Sequence, residues 1–403
     1  MQNTARRNEE GDDKPSDDGS VSPAASSPFS IPHSPFPRRV LYVITDLETG
    51  GVPLHLFRLA TYAQRRGLKV LVCCLAPPGP VSEMLSDVGV ANTGLGAQGP
   101  WDYHVLERLA GRISDFRPDI VHALLFHANV ACRIACLLCG FPTRRLICEI
   151  QTAEIERPWH LWVEHWTQRW CRAIVGNSPS VIEHLRMAGH IHPSRLRLIP
   201  GGVDPEPLAQ ISPLDRRALG ITDDDPILLW VGRLDPIKGL DELIEAFARV
   251  ARARPCHLVL VGDGAYRPQV ERLIRRSGCA ERMVMLGTRS DVPSLLKTAA
   301  MFVFPSRTEG MPNALLEAMA AGLPCVAADV PGCRDVIDDR VDGLLTKPGD
   351  AVHLAATILQ VLANGALARR LGQAAAAKVQ RSFRLDRCLK SYLELYSEVL
   401  SDP

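Results

Sequence analysis

Two glutamates eight residues apart, Glu309 and Glu317, stand in the stretch Ser306-Arg307-Thr308-Glu309-Gly310-Met311-Pro312-Asn313-Ala314-Leu315-Leu316-Glu317. An apolar strand run precedes this stretch and a helical run continues it. Glu309 therefore belongs to a loop and Glu317 to the helix behind it, and both can face one ligand. Gly310 permits close backbone approach, and the free amides that open a helix bind anions such as phosphate. Upstream, Arg233 and Lys238 lie five apart in Val231-Gly232-Arg233-Leu234-Asp235-Pro236-Ile237-Lys238-Gly239-Leu240, again between a strand run and a helical run. A guanidinium and an ammonium on one turn can converge on a diphosphate, the first as a planar fork and the second as a point charge. Positive charge placed where a leaving group gains negative charge lowers the barrier selectively. Near the start of the apolar sequence, the adjacent glycines of Thr49-Gly50-Gly51-Val52 allow another helix start to approach phosphates closely.

Together with the exit Ala320-Ala321-Gly322-Leu323-Pro324, the Glu309 to Glu317 segment resembles the Glu-x7-Glu signature of glycosyltransferase family 4, retaining enzymes of the GT-B fold. Gly232 to Gly239 is similar to that family's Gly-Arg-x4-Lys-Gly element, and the resemblance spans roughly residues 38–385. It implies transfer of a hexose-type sugar from a nucleotide diphosphate sugar to a hydroxyl acceptor, with anomeric configuration retained. It gives the donor sugar to Glu309, the ribose hydroxyls to Glu317 and the leaving diphosphate to Arg233 and Lys238. It also sets the donor against Gly50, Gly51, Gly232, Gly262, Gly264, Arg289, Gly310, Met311, Pro312, Asn313 and Leu315. Phe126-His127-Ala128-Asn129 resembles the family's active-site histidine element and favours His127 over His122, although many relatives have a histidine at the position of Leu124. A lipid-linked glycan intermediate of bacterial polysaccharide assembly is the acceptor expected by resemblance. A non-hydrolysing sugar-nucleotide epimerase, or a non-catalytic nucleotide-sugar-binding protein, is the competing reading for this architecture.

These residues must be held by alternating strands and helices. Val40 to Ile44, Val70 to Leu75, Ile120 to Leu125, Leu146 to Ile150, Ala173 to Val175 and Leu196 to Ile199 read as buried strands with helical runs between them. A second series follows: Ile227 to Val231, Leu258 to Val261, Met283 to Leu286, Met301 to Phe304 and Cys325 to Ala328. The pattern predicts two Rossmann-like, doubly wound parallel sheets facing across a cleft, with ligands at the carboxyl ends of the strands. The expected boundaries are a disordered tail over 1–37, a first domain over 38–203, a linker over 204–225 and a donor domain over 226–385. A final helix over 386–403, with Asp386 as its N-cap, can cross back to the first domain.

The chain has 403 residues with 46% hydrophobic and 23% charged side chains, a composition that supports two cores. A net charge of +1 gives no global field toward nucleic acid, and none is expected as a partner. The twelve cysteines follow no secreted framework and read as buried reduced thiols, with Cys132, Cys136 and Cys139 on one packed helix face. Without an apolar run of about 20 residues, a cytoplasmic protein is expected. No metal is expected, because Asp223-Asp224-Asp225 sits in the linker as a solvated loop while Arg233 and Lys238 supply the cations. Trp159, Trp162, Trp166 and Trp170 recur at spacings of three, four and four along one helical stripe, with Arg157, Arg169 and Arg172 close by. The stripe reads either as a bulky core face or as an acceptor or membrane-facing surface, which would give peripheral contact with the inner face of a membrane.

Overall fold

Strands buried on both faces need continuous apolar runs, and the computed structural model, which describes residues 36–99, 102–151, 158–206 and 210–402, places strands on those runs. Residues 1–35 of the expected tail, and Arg157 beside the tryptophans, lie outside the described residues. The first sheet is built from β1 (Arg39–Ile44), β2 (Lys69–Cys74), β3 (Ala91–Gly94), β4 (Ile120–Leu124), β5 (Leu146–Ile150), β6 (Ala173–Gly176) and β7 (Leu196–Leu198), in the order β3-β2-β1-β4-β5-β6-β7. The second is built from β8 (Ile227–Val231), β9 (His257–Val261), β10 (Met283–Met285), β11 (Met301–Phe304), β12 (Cys325–Ala328) and β13 (Leu344–Thr346), in the order β10-β9-β8-β11-β12-β13. Every pairing is parallel. The edge strands β3 and β13 were not expected. They are short, and β3, with the sequence Ala-Asn-Thr-Gly, has no large apolar side chain and is exposed or half-buried throughout.

Period-two alternation splits the first domain's core between the sheet faces. Val40, Tyr42 and Ile44 point to one cluster, and Leu41 and Val43 to the other. The first cluster also takes Leu389, Tyr392, Leu393 and Tyr396 from the helix Leu385–Ser401, so the last helix of the chain packs on the first sheet. That helix is capped at Arg384 with no side-chain bond; Asp386 is not its N-cap but lies in the first turn, bonded to Arg384. The chain passes between the sheets twice, and the two passages bind each other. Val203 N–H donates to the Phe383 carbonyl at 2.9 Å, and Leu385 N–H to the Val203 carbonyl at 2.9 Å.

The segment 204–225 is more than a linker. Leu219 and Ile221 are buried in the second core, because a short 3-10 turn, Arg216–Leu219, folds back onto that domain. The aspartates near its end are not merely solvated. Asp223 lies 3.0 Å from His257 Nε2, and Arg282 donates to Asp225 at 3.0 Å, which pins the approach to β8 against the start of β9.

Candidate functional site

In each sheet the strand order reverses once, between β1 and β4 in the first and between β8 and β11 in the second. A parallel sheet opens a crevice at the carboxyl ends of the strands where the order reverses. The Gly50-Gly51 turn follows β1, His127 follows β4, the Gly232 to Lys238 turn follows β8, and Glu309 follows β11. Both reversal points thus present candidate residues, and the two crevices meet. A Cβ on Gly51 would stand 3.3 Å from Asn313 Nδ2, and one on Gly201 3.0 Å from Met311 Cγ.

Two helices begin at this meeting place, Gly51–Arg65 behind the extended Gly50 and Asn313–Ala320 behind Pro312. Among the described residues no side chain caps either one, so first-turn amides of both domains remain available to an anion. Lys238 adds a full positive charge. Its Nζ lies 2.6 Å from Glu309 Oε1, with side chains 20% and 11% exposed, and Ser306, fully buried, donates its hydroxyl to the same oxygen at 2.6 Å. Glycine is required where these loops touch. Gly239 has φ 68 and its Cβ would lie 2.1 Å from the Pro305 carbonyl oxygen. Gly262 has φ 132 and its Cβ would lie 1.8 Å from the Gly232 carbonyl oxygen.

Glu317 lies just over one turn along its helix, 3.6 Å from Arg58 of the other domain. Burial raises its proton affinity above the usual carboxylate range, and Arg58 only partly reverses that. Arg58 and Ser306 were not among the residues expected from sequence. Arg58 stands seven residues after Gly51, on the same helix face, which is the signal that could have found it. A second polar tie crosses the cleft, where Ser180 donates both its N–H and its hydroxyl to Asp335.

Other expected residues have partners or surroundings of their own. Arg233 is exposed and pairs with Asp235 at 3.0 Å, whereas Lys238 pairs with Glu309. Arg289 is exposed and grips Asp291 through two bonds. The Leu315 side chain is wholly buried in the second core, so only its backbone can serve a ligand. Gly264 supports the Gly232 to Leu234 turn, since a Cβ there would meet the Leu234 carbonyl oxygen at 2.3 Å.

The histidines separate clearly. His122 is fully buried, its Nδ1 2.7 Å from Tyr396 Oη and its Nε2 3.0 Å from Glu149, so it ties the last helix to the first sheet. Glu149 also accepts from Tyr392 at 2.9 Å and from Gln151 at 2.6 Å. Burial pushes its proton affinity up, but the His122 bond and the nearby His55 outweigh that and leave it lowered. His127 is exposed in the first turn of Phe126–Leu138, its ring 5.8 Å from that of His160.

The tryptophan stripe is not core. Trp159, Trp162 and Trp166 are 53%, 65% and 57% exposed, and Trp170 is half-buried. All twelve cysteines are free and all but Cys139 buried. Asp223, Asp225 and His257 come close enough to hold a cation, but His257 begins β9, at the opposite end of the sheet from the crevice. Arg216 and Arg282 already neutralise the two aspartates.

Comparison with known proteins agrees with this geometry. The family model described as Glycosyltransferase Family 4 matches residues 49–207, and that described as Glycosyl transferases group 1 matches residues 212–378. The N-acetyl-alpha-D-glucosaminyl L-malate synthase of Bacillus anthracis is 29% identical over 46% of this chain and 49% of its own. The UDP-Gal:alpha-D-GlcNAc-diphosphoundecaprenol alpha-1,3-galactosyltransferase of Escherichia coli is 28% identical over 58% of this chain and 63% of its own. The chain thus spans about half the length of the curated relatives it matches. The structure of Anabaena HepE in complex with UDP and glucose superposes with a TM-score of 0.81, at 23% identity, over 90% of this chain and 100% of that one.

Proposed function

Because this chain belongs to glycosyltransferase family 4, each domain matching one of the two family models, we propose that it is a retaining glycosyltransferase. It moves a hexose-type sugar from a nucleotide diphosphate sugar to a hydroxyl acceptor. The observation that carries this reading is the meeting of two uncapped helix starts, one from each domain, beside the Lys238 ammonium. Such a place suits a diphosphate, and fixed donors there stabilise the charge that grows on the leaving nucleotide as the bond to the sugar breaks. The HepE complex with UDP and glucose supports a nucleotide-sugar donor, and the Escherichia coli relative, named for a diphosphoundecaprenol acceptor, supports a lipid-linked glycan acceptor.

Within this reading the amides at Gly51 and Asn313 hold the phosphates, Lys238 neutralises them, and Glu309, fixed by Lys238 and Ser306, accepts from a hydroxyl of the sugar. Glu317 accepts from the ribose hydroxyls once Arg58 yields, and Arg58 then turns to the phosphates. His127 stands at the acceptor side. Arg233 reaches the diphosphate by leaving Asp235. The cation work falls to Lys238 and the backbone, so the reaction proceeds without a metal, in the cytoplasm where nucleotide sugars are made. The test is a thermal-shift screen of the full chain with nucleotide sugars and bare nucleotides, followed by measurement of nucleotide release with and without acceptor extracts, in the presence and absence of chelator. Stabilisation by no nucleotide sugar refutes the donor site, release that ignores acceptor refutes transfer, and a rate that chelator abolishes and magnesium restores refutes metal independence.

A further inference from the structure

The helix Pro158–Thr167 is amphipathic in the reverse sense. Its buried residues are the polar His160 and Glu164, beside Leu161, which packs half-buried on the first domain's core. Glu164, 1% exposed, receives a 2.6 Å bond from the fully buried Arg133, Thr167 accepts from the same guanidinium at 2.8 Å, and the buried His160 stacks on Phe126 at 3.7 Å. Its outward face is aromatic, with Trp159, Trp162 and Trp166 all more than half exposed and the rings of Trp162 and Trp166 6.3 Å apart. A surface helix folding against a core for its own stability would turn these faces the other way, because burying indoles is favourable and burying an ion pair is close to neutral. The buried Arg133–Glu164 pair holds the aromatic face outward.

Charge and size indicate the occupant. Glu164 is the sole acid between residues 158 and 172, and it is turned inward and neutralised. On the exposed side the next turn carries Arg169, its guanidinium 5.1 Å from the centre of the Trp170 ring. An aromatic and cationic face fits the boundary of an anionic bilayer, where indoles settle at headgroup depth and arginine meets phosphate. A ten-residue helix is about 15 Å long. One helix face of that length falls well below the roughly 800 Å² per partner of a stable protein interface, whereas a bilayer sets no minimum footprint.

We propose that the outward face of Pro158–Thr167, with Trp159, Trp162, Trp166 and Arg169, docks the first domain onto an anionic lipid surface. The helix follows β5 at the carboxyl ends of the first sheet's strands, the side on which the crevice opens, so docking brings the cleft toward the membrane plane. The inference does not depend on the proposed reaction.

The test is co-sedimentation of the full chain with phosphatidylcholine vesicles and with vesicles that also contain phosphatidylglycerol. Brominated lipids are used in parallel to quench tryptophan fluorescence. The expected result is salt-sensitive binding to the mixed vesicles with quenching, weakened about tenfold or more by the double variant Trp162→Ala, Trp166→Ala. Arg169→Glu should reduce binding to the mixed vesicles and leave binding to the neutral ones unchanged. Both variants should melt near the parent and bind nucleotide equally well, so loss of lipid binding is separable from loss of the donor site. Failure of the parent to bind either vesicle overturns the proposal. So does equal binding by the double variant, or tryptophan-dependent self-association without lipid, which would make a second copy the occupant.

Discussion

Lys238→Ala removes an ammonium asked to do two things, hold Glu309 now and meet a diphosphate during the reaction. The pair is short, at 2.6 Å, and both partners are largely buried. Removing one preorganised donor from developing charge costs about 2.7 to 4 kcal/mol, or roughly 10²- to 10³-fold in rate. The fold also suffers, since among the described residues Glu309 keeps only the Ser306 hydroxyl, and a poorly satisfied buried carboxylate costs on the order of 1 to 3 kcal/mol. The two effects separate in a cycle with Glu309→Gln, whose neutral amide no longer needs a cation. Nucleotide release is measured at saturating donor, and stability by chemical denaturation. Lys238→Ala is expected to lose both rate and stability, and the double variant to regain most of the stability but none of the rate. Turnover of Lys238→Ala within about threefold of the parent would refute the leaving-group role. Recovery of rate in the double variant would reduce Lys238 to a support for Glu309.

Glu164→Ala leaves the Arg133 guanidinium buried without its partner and should cost about 3 to 5 kcal/mol, while the double change to leucine at 133 and 164 recovers most of it; a loss below about 1 kcal/mol by denaturant titration would contradict the burial of this pair. Gly262→Ala drives a Cβ into the Gly232 carbonyl at positive φ, so destabilisation of about 3 kcal/mol or more is expected, with weakened nucleotide affinity because the Arg233 to Lys238 turn shifts; an unperturbed melt argues against that contact. Burial holds His55 below its usual proton affinity against the opposing Glu149, so the unfolded chain takes up a proton that the folded chain refuses. Stability should therefore fall as the pH drops through about 6.5, and fall further as the lowered Glu149 is protonated at still lower pH. His55→Phe should flatten the first part of that curve, and a parent whose stability is level from about pH 7 to about pH 5.5 would refute it.

The amino-acid sequence by itself determines whatever depends on local periodicity and residue type. Strands such as β1, β8 and β11 are buried on both faces and almost continuously apolar, so they announce themselves, and with them the turns that carry Gly50, Lys238 and Glu309. The edge strand β3 is silent in the pattern because its residues, exposed or half-buried, bury too little surface to require large apolar side chains. Pairings distant along the chain are not legible at all. Lys238 meets Glu309 across 71 residues, and His122 meets Tyr396 across 274, through contacts that no local pattern encodes. The tryptophan stripe shows the division most plainly. Spacing groups the indoles on one helical stripe, and Trp159, Trp162 and Trp166 do share a face of Pro158–Thr167 while Trp170 falls in the 3-10 turn beyond it, but a periodicity has no inside or outside. That is decided by Arg133 on a neighbouring helix, whose buried charge draws Glu164 inward and so turns the tryptophans to the surface.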